Sequence, residues 1–441
     1  MSDKRQLALD IVRTLRTAGH AALFAGGCVR DMLRGVMPHD YDVVTNAKPE
    51  QVRALFPKTF EVGAQFGVVL VLSEGETFEV ATFRCDDAYE DGRRPTSVTF
   101  STPEADARRR DFTMNGLFYD PVAESVLDYV GGRADIERRV VRCIGDPVAR
   151  FTEDKLRMLR AIRFACNLGH TIEPATFHAI QQMAPQITVV SAERIRDELI
   201  KTFTRSHAGE GLRLLEESGL LAVVLPEVAV MKGCEQPPQF HPEGDVFRHT
   251  CLMMDALRDP SVTLAFGTLL HDVGKPLTFQ RAPDRIRFNE HDAVGAQVAE
   301  AVLRRLRFPN DTLEAVVACV ENHMVFRHAT EMRKAKLKRL LSRPTFAEEL
   351  ELHRLDCLAS HSDLTNHEFL RTAQVEMPPA VVAPAPLLTG HDLLALGMKP
   401  GPSLGALLRE ARELQLEEKL RSREEALAWA EARKTGGRCN H

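Results

Sequence analysis

The chain carries nine cysteines but no CxxC pair and no tight cluster of them. That excludes a cysteine-based zinc site and fits reduced thiols. Long apolar runs are also missing: no segment approaches the ~20 residues that would span a bilayer. The N-terminal stretch MSDKRQLALDIVRTLRTAGH lacks the apolar core of a signal peptide and reads as a capped amphipathic helix over 4–18. No membrane is expected as a partner, and a cytoplasmic location is. A basic excess is absent too, with 57 Lys and Arg against 62 Asp and Glu and a net charge of −5. Any nucleic-acid contact must therefore come from local patches, of which Arg108–Arg110 and the run 155–163 are candidates.

What is present suits an ordinary globular chain of two to four domains: 441 residues, 44% hydrophobic and 27% charged. The densest stretch is LFAGGCVRDMLRGVMPHDYDVVT, from Leu23 to Thr45. A short apolar strand precedes Gly26-Gly27, then come Arg30, a helical stretch, and Asp40-Tyr41-Asp42 opening a second strand. Two aspartates two apart on a strand share a face, and a divalent cation relieves their repulsion. Oxygen-only ligation suits Mg²⁺. Gly27 and its neighbour allow backbone N–H groups close to a triphosphate, with Arg30 adding charge. A helix at 49–56 and strands at 66–72 and 77–83 follow. Glu79, on the latter strand, is either a third carboxylate of the metal site or part of a solvated face.

GGCVRDMLRG with HDYDVVT resembles the first motif of class II tRNA nucleotidyltransferases, the CCA-adding enzymes and bacterial poly(A) polymerases. RRDFTMN at 109–115 and FTEDKLRMLRAIRF at 151–164 resemble further motifs of that family. The resemblance implies an α+β fold. A polymerase-β-like nucleotidyltransferase head with a small mixed sheet (1–150) is followed by an all-α neck (151–231), an HD-type helical body (241–370), a linker (371–389) and a helical tail (390–435). It also implies that Asp40 and Asp42 hold catalytic Mg²⁺, that Arg110 engages triphosphate and that Asp111 recognises ribose. From the residues alone, Asp111 or Thr113 could simply cap a helix. The run Asp128–Ile136 resembles a looser motif, read in the family as a springy joint.

In the run 153–164, Asp154, Arg157 and Arg160 spread over roughly 120° of a continuous helix, while Arg163 falls about 180° from Asp154. Three of them can face one pocket, with Arg163 at its margin. A carboxylate and a guanidinium side by side match the amine and ring nitrogen shared by adenine and cytosine, and mismatch guanine and uracil. The family's EDxxR motif has that template role for CTP and ATP. Ser191-Ala-Glu193-Arg194 resembles the next motif and reads as helix capping that braces the neck. A connector rich in Gly, Pro and Gln closes this half near 232–245.

Beyond it, TLLHDVGKP resembles the HD superfamily of metal-dependent phosphohydrolases. His249, His271, Asp272 and Asp356 are candidate ligands for one divalent metal, and His291 and His323 for a second. The tail reads as an RNA-contacting or dimer-packing arm.

The expected function is template-independent addition of CCA, from CTP and ATP, to the 3′ end of tRNA or another RNA. Poly(A) addition, or addition of CC or A alone, stays open. Phe66-Gly67-Val68 favours the CCA-type consensus. From other classes, an HD hydrolase with an inactive head and a non-catalytic RNA-binding protein remain as readings.

Overall fold

The computed structural model describes residues 3–61, 67–86, 98–239, 241–242 and 244–436. Phe66 lies outside the described residues. The chain divides into two compact units, one of residues 1–230 with 257–260 and 302–308, the other of 231–256, 261–301 and 309–441. No helix among the described residues is long and apolar enough to cross a membrane.

The first unit opens with the helix Lys4–Thr17, capped by the Asp3 carboxylate on Arg5 N. Its buried Leu7, Ala8, Ile11, Val12 and Leu15 recur at helical spacing. Strands β1 (Ala22–Ala25), β2 (Asp42–Thr45), β3 (Thr59–Glu61), β4 (Val68–Ser73) and β5 (Glu76–Thr82) follow, then the hairpin pair β6 (Arg84–Asp86) and β7 (Val98–Phe100), and then β8 (Leu117–Asp120) and β9 (Ser125–Asp128). Seven of these form one mixed sheet in the order β3-β4-β5-β2-β1-β8-β9. Glu74 and Gly75, both at positive φ, turn β4 tightly into β5. Leu23, Ala25, Val44, Phe83, Ala107 and Phe118 pack one core of the sheet.

Pairing decides which side chains meet. β2 runs parallel to β5 with Val43 opposite Val80. Asp42 and Glu79 each stand one residue earlier, so pleating turns both to the same face. Asp40 does not join them in the strand. It precedes β2, its side chain is 80% exposed, and Lys4 Nζ holds it at 2.6 Å. The two-residue alternation expected for the pair fails because Asp40 lies outside the pleat.

The all-α part departs from expectation in one informative way. The helix is not continuous through 151–164: Pro147–Glu153 ends, and Leu156–Leu168 begins afresh. Asp154 between them is extended, at φ −149° and ψ 105°. Its carboxylate accepts from Leu156 N at 3.1 Å, the local side-chain bond by which Asp competes with helix. Helix Ala192–Phe203 starts after Ser191, which makes no side-chain cap, and Glu193 pairs with Arg307 instead of capping. Asp111 and Thr113 cap nothing either, since Phe112 stands at the N-cap of the short 3₁₀ turn 113–115. Of the two glycines at 131–132, Gly132 is packed, since a Cβ there would sit 2.1 Å from Thr113 O, whereas Gly131 stands at φ +78° with open space around it; Asp128 accepts from the backbone N–H groups of 130 to 133.

Among the described residues the second unit is mainly helical, with the hairpin Phe279–Arg281 and Ile286–Phe288 and an isolated bridge between Glu235 and Asp245. Helices Val246–Ala256, Val262–Leu270, His291–Arg305, Asn310–Asn322 and Phe346–Ala359 carry its inner residues. The stretch 371–389 is no free linker. Helix Thr365–Glu376 runs into it, Val382 and Leu388 are buried, and Gln415 and Arg412 bond its backbone at Ala385, Leu387 and Pro384. The tail helices Gly390–Ala395, Pro402–Leu416 and Arg423–Gly436 close over Leu393, Ala411, Ala426 and Ala430.

Candidate functional site

A cavity of about 460 Å³ in the first unit gathers most of the sequence-predicted residues. Gly26, Gly27, Arg30, Asp42, Glu79, Arg110, Asp111, Asp154, Arg157 and Arg160 line it; Asp40 and Arg163 do not. Part of the lining is acidic. Burial pushes the Asp42 carboxyl up to about 6, with Glu79 and Asp40 adding to the rise and Arg110 opposing it. A half-buried Asp42 repelled by the exposed Glu79 beside it makes an all-oxygen pair that fits a divalent cation, which would relieve that cost.

The floor is a glycine cradle. Gly26, at φ +72°, begins helix Gly27–Leu33, and a Cβ there would lie 3.0 Å from Arg110 Nη1 and 4.0 Å from Asp42 Oδ2. Gly26 therefore meets the closest approach as well as the left-handed backbone that only glycine adopts freely. Arg30 is steered by Asn115 Oδ1 at 3.0 Å and by Asp31. Arg109 and Arg110 share the buried Asp106, which burial pushes up but the two guanidinium groups hold below the usual carboxylate range.

Asp111 is the hub. One oxygen accepts from Phe112 N and the Asn115 amide, the other from Arg160 Nε and Nη2 at 2.8 and 2.7 Å. Burial raises its carboxyl, but Arg160 and Asn115 outweigh that and bring it to about 2.

Asp154 and Arg157 both line the cavity despite the helix break. Arg157, 8% exposed, donates to Glu153 Oε2 and to the carbonyls of Arg150 and Arg109. Asp154 Oδ2 accepts from Arg194 Nη2 at 2.7 Å. Arg163 stands outside the lining, bonded to Glu198 at 2.5 Å, with its guanidinium 4.1 Å from the Phe164 ring. Arg194, Asn115, Arg109 and Phe164 line the cavity without having been singled out. Each lies inside a run that carries the resemblance, Arg109 and Asn115 in RRDFTMN, Phe164 at the end of FTEDKLRMLRAIRF and Arg194 after Ser191-Ala-Glu193, but no pattern within those runs marked it as part of the cavity.

The second unit brings the other six candidates together. His249 Nε2 lies 3.1 Å from Asp356 Oδ1, and His271 Nε2 3.1 Å from Asp272 Oδ2. On the other side of Asp272, His291 and His323 stand 3.6 and 3.8 Å from Oδ1 and 3.2 Å from each other. Two compatible metal-binding groups result, His249-His271-Asp272 and Asp272-His291-His323. The Nδ1 atoms of His271, His291 and His323 each face a backbone carbonyl, of Thr268, Phe288 and Val320. A carbonyl only accepts, so each Nδ1 bears the proton and Nε2 presents a lone pair inward. Burial lowers His291, and burial with the neighbouring His271 lowers His323 to about 4, which keeps both neutral. Gly274 makes the approach possible, because a Cβ there would fall 2.2 Å from His291 O. Asp356 pairs with His249, while the neighbouring Arg354 pairs with Glu351. A cavity of about 670 Å³ opens onto the cluster, lined also by Lys275, Arg287, Arg327, His328, His353 and His361, none of which had been predicted.

Residues 22–142 match the family described as Poly A polymerase head domain, residues 169–232 the probable RNA and SrmB-binding site of polymerase A, and residues 292–430 tRNA nucleotidyltransferase domain 2. The CCA-adding enzyme of Geobacillus stearothermophilus is 46% identical over 225 residues, so the chain spans about half the length of that relative, 55%, and 51% of its own. The CCA-adding enzyme of Lactobacillus johnsonii is 31% identical over 421 residues, 95% of each chain. Among solved structures, the Bacillus stearothermophilus CCA-adding enzyme in complex with CTP superposes with a TM-score of 0.76 at 29% identity, covering 99% of both chains. The Thermotoga maritima CCA-adding enzyme complexed with tRNA shares the fold, at a TM-score of 0.60 and 18% identity over 98% of this chain and 95% of that one.

Proposed function

Since the chain belongs to the family of CCA-adding enzymes, which are tRNA nucleotidyltransferases, we propose that it adds CCA, from CTP and ATP, to the 3′ end of tRNA. The observation that carries the reading is one cavity lined both by an acidic pair, Asp42 and Glu79, and by an acid–guanidinium pair, Asp154 and Arg157. In this reading the RNA 3′ hydroxyl attacks the α-phosphate of the nucleotide and pyrophosphate leaves. Asp42 and Glu79 would hold Mg²⁺, with Asp40 joining them on leaving its pair with Lys4, and the ion would supply charge for the phosphates. Arg30, Arg110 and the backbone amides at the Gly26–Gly27 helix start receive the triphosphate. Asp111, locked by Arg160 and Asn115, accepts from the ribose hydroxyls. Asp154 and Arg157 read the base edge, with Arg160 in support and Arg163 bracing from outside the cavity. Nucleotide addition is tested by incubating the protein with tRNA lacking CCA and each labelled triphosphate in turn. Incorporation of C and A with rejection of G and U is expected. Runs of A alone would favour poly(A) addition, and no incorporation would refute the reading.

The six-ligand cluster supports a second activity in the second unit, a metal-dependent phosphohydrolase of the HD type. His249, His271, Asp272 and Asp356 would hold one divalent metal, and His291 and His323, with Asp272, another. Hydrolysis of phosphomonoesters or 2′,3′-cyclic phosphates with Mn²⁺, Ni²⁺ or Mg²⁺ tests it. His271→Ala with Asp272→Ala should remove that activity and leave nucleotide addition within a few-fold of the parent.

A further inference from the structure

Asp154 can read a base only if its carboxylate is held in one orientation. Both of its oxygens are engaged by the protein, Oδ1 by Leu156 N at 3.1 Å and Oδ2 by Arg194 Nη2 at 2.7 Å. Leu156 N belongs to the same turn and moves with Asp154. Arg194 comes from helix Ala192–Phe203, forty residues on, and is the long-range contact that fixes the carboxylate plane. Arg194 is held in turn by its place on that helix. Glu198, one turn further along the same face, is 3% exposed and receives Arg163 Nε at 2.5 Å, with Arg160 Nη1 at 3.8 Å. One helix face thus grips the selecting wall at both ends: Arg194 at Asp154, Glu198 at the two arginines of helix Leu156–Leu168.

We infer that Arg194 is a positioning residue for nucleobase selection, acting through Asp154 with helix Ala192–Phe203 as its rigid mount. The inference rests on the reading of Asp154 as the base-selecting carboxylate. A carboxylate so anchored keeps acceptor lone pairs where an exocyclic amine arrives and meets the carbonyl of guanine or uracil with like against like. Once Arg194 is gone, Asp154 sits at a helix break with an extended backbone and rotates about χ1 and χ2, so the mismatch penalty falls.

The test measures kcat/KM for all four triphosphates on tRNA lacking CCA, with thermal midpoints of each variant. Arg194→Ala should raise UTP and GTP relative to CTP and ATP roughly tenfold, and Arg194→Lys should recover most of the discrimination. Glu193→Ala lies on the same turn but pairs with Arg307 away from the cavity, and should match the parent. If Asp154→Ala blurs the preference while Arg194→Ala leaves it unchanged, the inference falls and the base-reading role stands. A preference unchanged in Asp154→Ala refutes both. An Arg194→Ala variant that loses all four nucleotides in parallel with its thermal midpoint, and is not restored by lysine, makes Arg194 a mere brace and overturns the inference.

Discussion

Replacing Asp111 by Asn should separate charge from shape at the centre of the nucleotide cavity. The side chains are nearly the same size, so Phe112 N keeps an acceptor. The two charge-assisted bonds from Arg160 weaken, and the new amide N–H₂ faces a donor. Holding the carboxyl at about 2 against an ordinary 3.8 is worth about 2 kcal/mol of folding free energy at neutral pH. Removing one partner of a fully buried pair costs about 3–5 kcal/mol, but the Arg160 side chain is a third exposed and water offsets part of that loss. We therefore expect Asp111→Asn to lower the stability of the first unit by about 2 kcal/mol at pH 7. The folded-state carboxyl is depressed, so the stabilisation is complete above the unfolded value near 3.8 and disappears as pH falls toward 2. Urea unfolding of parent and variant, followed by a probe of the first unit from pH 7 down to 3, reads the gap directly. It should be constant down to about pH 5 and then narrow. A gap of equal size at every pH would mean that packing rather than charge is lost. No gap at pH 7 would mean that the Arg160 pair contributes nothing to folding. In the incorporation assay CTP and ATP should decline together, because Asp111 is read as the acceptor of ribose hydroxyls, which both nucleotides carry.

Other perturbations test neighbouring parts of the argument. Asp40→Ala or Asp42→Ala should each remove incorporation of CTP and ATP together while circular dichroism stays native, and loss of one nucleotide alone would contradict a shared metal site. Gly26→Ala places a Cβ 3.0 Å from Arg110 Nη1 at a left-handed backbone position, so triphosphate KM should rise and stability fall by about 1–2 kcal/mol, measured by steady-state kinetics and thermal unfolding. Arg157→Ala should relax rejection of UTP and GTP more than it weakens tRNA binding, a contrast read by four-nucleotide kinetics beside a filter-binding assay. In the second unit, Gly274→Ala forces a Cβ to within 2.2 Å of His291 O. It should lower bound Mn²⁺ or Ni²⁺ per chain in elemental analysis after dialysis, and an unchanged metal content would contradict the close approach as the device that completes the cluster.

The sequence by itself determined the kinds of chemistry and their order along the chain. Gly26-Gly27, the RRDFTMN run and the histidines of the second unit are local patterns, and the backbone freedom or donor type that each supplies does not depend on what folds against it. Helix Lys4–Thr17 and strands β4 and β5 were legible for the same reason, since capping and alternation act within a few residues. Only the tertiary structure decided which groups meet. The parallel register of β2 and β5 set Glu79 beside Asp42, and no pattern within either strand encodes that register. Asp40 fell outside the pleat and turned to Lys4, a cation thirty-six residues away. The helix expected to run through Asp154 broke because the aspartate bonded the backbone two residues on, and its second oxygen then found Arg194. The supposed linker at 371–389 acquired partners on helix Pro402–Leu416 that composition does not announce. Periodicity records what one element does with its own neighbours, whereas a site is made from side chains far apart in sequence whose meeting is fixed by packing and register.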